Sequence, residues 1–186
     1  TLFVAVDDPV EIWRVTLRNN SGKVRRLSAF SYLEFSFHQI AMDNQNFQMS
    51  LYAAGSRYED GVIEHDLYYE ETGYQFFTSN FTPDGFDCLR DTFIGPYRTE
   101  RNPIAVESGQ CRGSFQKGGN HCGCLKKDLV LQPGEQVELI YLLGEGGIAA
   151  GKEMRKKYTS EKCAADFART AEIWEEKLRC LQVHTP

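Results

Sequence analysis

The stretch Phe93-Ile94-Gly95-Pro96-Tyr97-Arg98-Thr99-Glu100-Arg101-Asn102-Pro103 gathers the residue types that handle sugars and phosphate. An aromatic ring such as that of Tyr97 stacks on a sugar face, the forks of Arg98 and Arg101 donate in pairs to hydroxyl or phosphate oxygens, and the Asn102 amide both donates and accepts. Pro96 and Pro103 stiffen the stretch by fixing φ. Tyr97, Arg98, Arg101 and Asn102 are therefore the candidate substrate-binding residues. A purely structural loop of the same composition is the competing reading.

Hydrolytic chemistry asks for two spaced carboxylates, or for a nucleophile with an aligned base. Glu64, Asp66, Glu70 and Glu71 lie on or beside an alternating strand, so Glu64, Asp66 and Glu70 project to one face, and a solvated outer face accounts for them. Glu34 sits among Phe30, Tyr32, Phe35 and Phe37. A carboxylate there needs a hydrogen-bond partner or a raised pKa, and Arg14 or the Trp13 indole is the expected structural partner. His121-Cys122-Gly123-Cys124 offers soft ligands, but structural zinc takes four from paired clusters and no second CxxC or HxxxH is within reach. These read as small buried thiols, with no metal. Gly118-Gly119-Asn120 and Gly144-Glu145-Gly146-Gly147 match neither phosphate-binding fingerprint and read as turns.

Strands must position these groups. Residues 11–18 alternate, with Trp13, Val15 and Leu17 on one face, and Asn19-Asn20-Ser21-Gly22 tolerates positive φ, which predicts a hairpin. A second, long aromatic alternation runs over 25–38, and shorter strands are expected over 50–54, 63–70, 74–80, 124–131 and 137–144. Turn signals at Glu71-Thr72-Gly73, Pro83-Asp84-Gly85 and Pro133-Gly134-Glu135 separate them, the pattern of an antiparallel sandwich rather than of alternating βαβ units. Trp13, Val15, Leu17, Leu33, Phe35 and Phe37 are its expected core. Between 90 and 120 the pattern breaks into a long loop, where function is usually carried on a β scaffold. Helices are expected over 148–158 and 161–181, the second with an apolar stripe of Phe167, Ala171, Trp174, Leu178 and Leu181 that must pack on something. The chain thus divides into a β-sandwich over 1–145 and helices over 146–186.

With 186 residues, 41% of them hydrophobic and 25% charged, the chain can bury a real core. Lys+Arg 21 against Asp+Glu 26 leaves −5, no electrostatic footprint for nucleic acid or an anionic membrane. No apolar run approaches the roughly 20 residues of a membrane span, and the start runs at once into Asp7-Asp8 without a basic region. Six cysteines are too sparse for a disulfide scaffold, so reduced thiols and a cytoplasmic location are expected. The absent initiator Met, and the end at His184-Thr185-Pro186 directly after a helical pattern, read as a segment cut from a longer polypeptide.

Several segments in order resemble one family: Val10-Glu11-Ile12-Trp13-Arg14-Val15-Thr16-Leu17 with Asn19-Asn20, Phe30-Ser31-Tyr32-Leu33-Glu34-Phe35, and Asp43-Asn44-Gln45-Asn46-Phe47-Gln48. Arg90-Asp91-Thr92-Phe93-Ile94-Gly95-Pro96-Tyr97-Arg98, Gly118-Gly119-Asn120-His121-Cys122-Gly123 and Leu131-Gln132-Pro133-Gly134-Glu135 continue the match. Together they resemble the N-terminal sandwich of the inverting phosphorylases of glycoside hydrolase family 94, formerly glycosyltransferase family 36. The stretches 43–50 and 93–102 look most like cellodextrin phosphorylases. The resemblance implies a super-sandwich of galactose-mutarotase-like type, then a helical linker toward an α/α toroid that carries the catalytic Asp and the phosphate site. It implies attack of inorganic phosphate on a β-linked glucan oligosaccharide, giving an α-sugar 1-phosphate and a shortened chain, with no metal or organic cofactor. This segment would then be catalytically silent, within a homodimer in which sandwich loops approach the partner's active site, the Tyr97 and Arg98 loop among them. A free-standing carbohydrate-binding or interaction module is the alternative, set against which is the long helix ending the chain.

Overall fold

A computed structural model describes residues 1–35, 53–67 and 74–180 of the chain. Among them the alternating segments form β1 (Leu2–Val4), β2 (Val10–Arg18), β3 (Arg25–Phe30), β4 (Leu33–Glu34), β5 (Ala54–Glu59), β6 (Val62–Leu67), β7 (Tyr74–Ser79), β8 (Gly85–Leu89), β9 (His121–Leu131) and β10 (Gln136–Glu145). The helices are α1 (Arg90–Phe93), α2 (Ile104–Ser108), α3 (Ile148–Lys157) and α4 (Ser160–Leu178). A six-stranded sheet has the order β1-β2-β10-β7-β6-β5, and its neighbours are antiparallel throughout. The second sheet centres on β9, flanked by β8 on one side and by β3 and then β4 on the other. The fold is an antiparallel β-sandwich followed by helices.

Asn19-Asn20-Ser21-Gly22 does not close a hairpin. β2 pairs with β10 in the larger sheet, whereas β3 pairs with β9 in the smaller one, so the turn carries the chain between sheets. The turn between β9 and β10 makes the same crossing in reverse, and the two corners dock on each other through Asn19 N–H to Glu135 O (2.9 Å) and Gly134 N–H to Asn19 O (2.9 Å). The buried Asn19 amide donates to the carbonyls of Lys23 (2.8 Å), Leu131 (2.9 Å) and Gln132 (3.1 Å), while its oxygen accepts from the Ser21 N–H (3.0 Å). One side chain thus satisfies the backbone groups that a crossing strips of strand partners.

Between the sheets, Ile63, Phe77, Cys88, Leu125, Leu139 and Tyr141 are buried, and Trp13, Leu17, Leu33 and Phe35 pack against them half-buried. Val15, expected in this core, is exposed: β1 pairs only with residues 11–13, so β2 becomes the sheet's edge beyond Trp13. Phe37, the expected strand over 50–52, and Glu70 and Glu71 lie outside the described residues. The long alternation over 25–38 breaks at Ser31-Tyr32, where the Ser31 hydroxyl accepts from the Leu125 N–H (2.9 Å).

β2 is most deeply buried on the face opposite Trp13. Val10, Ile12, Val62, Phe76, Ile140 and Leu142 form a second core under α3 and α4, joined by Phe3, Tyr158 and Cys163. Gly151 of α3 lies so close to this sheet that an added Cβ would stand 2.6 Å from Val62, so the helix seats flush on it. Glu64 and Arg57 lie on this same covered face. Glu64, expected on a solvated surface, is 4% exposed. It pairs with Arg57, and its second oxygen accepts from the Ile148 N–H at the start of α3 (2.8 Å). Among the described residues the apolar stripe of α4 is covered at its beginning, where Phe167 meets Phe3 edge-on at 5.3 Å, while Trp174 and Leu178 are exposed; Leu181 lies outside the described residues.

Candidate functional site

The stretch between β8 and β9 covers the outer face of the smaller sheet. It is built on α1 and α2, where the sequence pattern predicts a plain loop. Phe93, Ile94 and Ala105 bury themselves on Cys122 and Cys124 of β9, and Tyr32 stacks on Phe93 at 4.9 Å. The return leg is held by Asp87, fully buried on β8, which accepts from the backbone N–H groups of Arg112 (3.2 Å) and Ser114 (3.1 Å) and from the Ser114 hydroxyl (2.8 Å).

From this base the segment 95–103 projects as a closed loop. Ile104 N–H donates to Ile94 O at 2.9 Å and draws its ends together. Gly95 has φ +92, and the Ile104 side chain lies 3.1 Å from where a Cβ would stand, so a larger residue has neither the backbone conformation nor the space. Asn102 folds the tip: its Oδ1 accepts from the Thr99 N–H (3.1 Å) and its own N–H reaches Thr99 O (3.0 Å). Arg98 turns back along the loop, paired with Glu107 of α2 and donating to Asn102 O (3.1 Å). The backbone turns at Tyr97 with φ +61, a left-handed conformation uncommon outside glycine, and the ring stands fully exposed. Arg101 is exposed too, and its side chain makes no ion pair or hydrogen bond among the described residues.

Arg90 fastens the loop to the sandwich. Its Nε donates to Glu34 (2.9 Å) and its Nη2 to Glu100 (2.6 Å), while the Tyr32 hydroxyl donates to the same Glu34 oxygen (2.6 Å). Glu34 therefore has Arg90 and Tyr32 as partners. Arg14 is engaged by Glu138 and the Trp13 indole by Glu11. The Glu100 carboxyl is held below its usual range by its own backbone N–H and then by Arg90, and burial together with Glu34 pushes the Tyr32 hydroxyl up. Of the four residues singled out by type, Tyr97 and Arg101 are offered to solvent, and Arg98 and Asn102 shape the loop that offers them. A ring and a guanidinium on a stiff loop can stack on a sugar and donate to its hydroxyls.

Residues 1–161 match the glycosyl hydrolase 94 supersandwich domain. The chain belongs to this family. It is 46% identical, over its whole length, to N,N'-diacetylchitobiose phosphorylases of Vibrio proteolyticus and Vibrio furnissii, and covers 24% of each. Solabiose phosphorylase of Paenibacillus borealis is 28% identical over the whole chain, which covers 25% of it. The chain thus spans about a quarter of the length of the curated relatives it matches.

In this family 94 sandwich the His121-Cys122-Gly123-Cys124 run splits by strand alternation. Cys122 and Cys124 face the loop, whereas His121 points between the sheets, its Nδ1 3.0 Å from the Ser56 hydroxyl and its ring 5.5 Å from His65. Ligands on opposite faces of one strand do not converge on one ion, and among the described residues no three such side chains are placed to hold a metal. His65 stacks on Phe35 at 4.7 Å; burial and then His121 lower its pKa to about 3, and burial lowers that of His121. A pocket of about 290 Å³ lies beside Ser56, lined by Gly55, Arg57, Asp66, Tyr74 and Lys117. Of these, only Asp66 stood out by residue type. For Gly55 and Arg57 the available signal is Asp60-Gly61, whose positive φ values (49° and 84°) close the β5–β6 hairpin; Tyr74 arrives through its pairing with Asp66 and Lys117 through a bridge to Gly55, which leave no local trace. Among the described residues no helix is long and apolar enough to cross a membrane.

Proposed function

We propose that this chain is the non-catalytic sandwich (1–145) and helical linker (146–186) of an inverting disaccharide phosphorylase. The 46% identity over the whole chain to two diacetylchitobiose phosphorylases carries the reading. In the whole protein, inorganic phosphate attacks the anomeric carbon of a β-linked disaccharide while an Asp outside this segment protonates the leaving oxygen, giving an α-sugar 1-phosphate with no metal or organic cofactor. The same identity favours an acetamido sugar as donor; the likeness of 43–50 and 93–102 to cellodextrin phosphorylases keeps a β-glucan oligosaccharide as the second reading. The exposed Trp174 and Leu178 at the end of α4 support a linker that meets an α/α toroid of its own chain, since an apolar stripe left in water has no use in a free-standing module.

The loop around Tyr97 serves a homodimer, reaching the sugar site of the partner subunit in the cytoplasm. The loop's closed, braced ends and its bare ring support that role. Tyr97 and Arg101 contact sugar, and Arg98 and Asn102 hold them in place. The test is phosphorolysis by the full-length protein, followed as sugar 1-phosphate released from diacetylchitobiose and from cellodextrins, with the 186-residue segment as control. Turnover of diacetylchitobiose by the full-length protein alone is expected. Turnover of neither sugar by the full-length protein overturns the reading, and glycan binding by the segment together with that lack of turnover favours a binding module.

A further inference from the structure

Two thiols beneath the loop lie against each other as well as against the apolar side chains around them. Cys111 follows α2 on the return leg and Cys124 lies in the middle of β9, yet their Sγ atoms are 3.8 Å apart. This is the one sulfur–sulfur contact among the described residues, and it lies in the apolar cluster of Phe93, Ile94, Ala105 and Cys122. Cys124 is buried and Cys111 is partly exposed, so one sulfur can be reached from solvent and the other only through its partner. A disulfide needs about 2.05 Å between sulfurs, a closure that rotations about two side chains can supply when the thiols already touch.

We propose that Cys111 and Cys124 form a modification site, a dithiol that a low-molecular-weight disulfide such as oxidised glutathione converts into an intramolecular bond. The Cys111 thiolate attacks one sulfur of the reagent, forming a mixed disulfide and expelling one thiolate. Cys124 then loses its proton to solvent and attacks the Cys111 sulfur, which forms the Cys111–Cys124 bond and expels the second thiolate. The protein gives up two protons and two electrons, and the reagent leaves as two thiols. Burial raises the Cys124 thiol well above its ordinary range, which makes Cys111 the point of entry. The new bond joins the return leg to β9 beside Phe93, Ile94 and Ala105, and so fastens the base of the loop that presents Tyr97.

The experiment uses the full-length protein with the exposed Cys180 changed to Ser, incubated with oxidised glutathione in mildly alkaline buffer, blocked with N-ethylmaleimide and mapped by mass spectrometry over the peptides of residues 1–186. A loss of two hydrogens, one cross-linked peptide joining Cys111 to Cys124, and no retained glutathione are expected. Cys124→Ser should instead keep glutathione on Cys111, and Cys111→Ser should form neither adduct nor cross-link. Glutathione that stays on Cys111 when both cysteines are present, an unreactive Cys111, or a cross-link between another pair overturns the site. Hydrogen exchange on the oxidised chain reads the fastening: amides of 104–113 should slow, and unchanged exchange overturns that consequence.

Discussion

Glu64, in the middle of β6, accepts a hydrogen bond at 2.8 Å from the backbone N–H of Ile148, the first residue of α3. A strand carboxylate therefore does what an N-cap side chain usually does, since Gly147 at the cap has none to offer. Its charge also meets the positive end of the helix and the Arg57 guanidinium. This contact joins the helical segment to the sandwich at one buried point.

The same contact predicts an ordering of stabilities. Glu64→Ala leaves a buried N–H unpaired and should cost about 1–3 kcal/mol in urea unfolding. Arg57→Ala removes a side chain that is 61% exposed and should cost less than about 1 kcal/mol. Glu64→Gln keeps an acceptor for Ile148 and should fall between them. An Arg57→Ala loss as large as that of Glu64→Ala would show that the ion pair, and not the cap, holds α3.

Asn19 is the second buried polar group whose removal is informative. Asn19→Ala leaves the carbonyls of Lys23, Leu131 and Gln132 without their donor and should cost about 1–3 kcal/mol. Asn19→Asp, nearly the same shape, should be worse, because a carboxylate would face those carbonyls. Chemical denaturation of both variants checks the order, and an Asp variant more stable than the Ala variant refutes this account of the corner.

Acid should weaken the sandwich through His65. Its folded-state pKa is lowered to about 3, so as pH falls through about 6.5 the unfolded chain takes up a proton that the folded chain refuses. Above that value the group is neutral in both states and has no effect. Below it, stability should fall by about 1.4 kcal/mol per pH unit, and His121, lowered in the same direction, adds to the slope. Carboxylates held low by partners, such as Asp8 and Asp84, bring their own losses only below about pH 4. His65→Gln should therefore flatten the stability profile between about pH 6.5 and 4.5, and an unchanged slope would assign the loss to other groups.

Alternation made the strands legible and left their surroundings hidden. Residues 137–144 read as a strand and form most of β10, and the helices after 147 are visible from composition alone. Period two tells which residues share a face, but not whether a face meets water, a second sheet or a helix. Glu64 read as solvated because the helix that covers it lies 84 positions away in sequence, and Val15 read as core because the shortness of β1 leaves no local trace. Asn19 carries the residue type of a hairpin turn, yet what it does depends on Leu131 and Gln132, over a hundred positions away. In the loop, residue types single out the segment 93–103 as a whole. They do not distinguish Tyr97, which faces outward, from Arg98, which faces Glu107, because that depends on where α2 begins.

The loop itself separates contact from support. Tyr97 occupies a left-handed conformation that costs a non-glycine residue about 1–3 kcal/mol, a cost that Tyr97→Gly relieves in part. That variant should be no less stable than the parent, yet in the full-length enzyme it should raise KM for the disaccharide through lost stacking. Arg98→Ala and Glu107→Ala break one ion pair from either end, so each should lower kcat/KM to a similar degree by loosening the loop, and the double variant should be little worse than either alone. Arg101→Ala, whose side chain has no partner among the described residues, should lower sugar affinity with no change in Tm. Steady-state kinetics and thermal unfolding measured on the same variants decide the matter: additive losses for Arg98 and Glu107 would give Arg98 a contact of its own with substrate, and wild-type kinetics for Tyr97→Gly and Arg101→Ala would take this loop out of the sugar site.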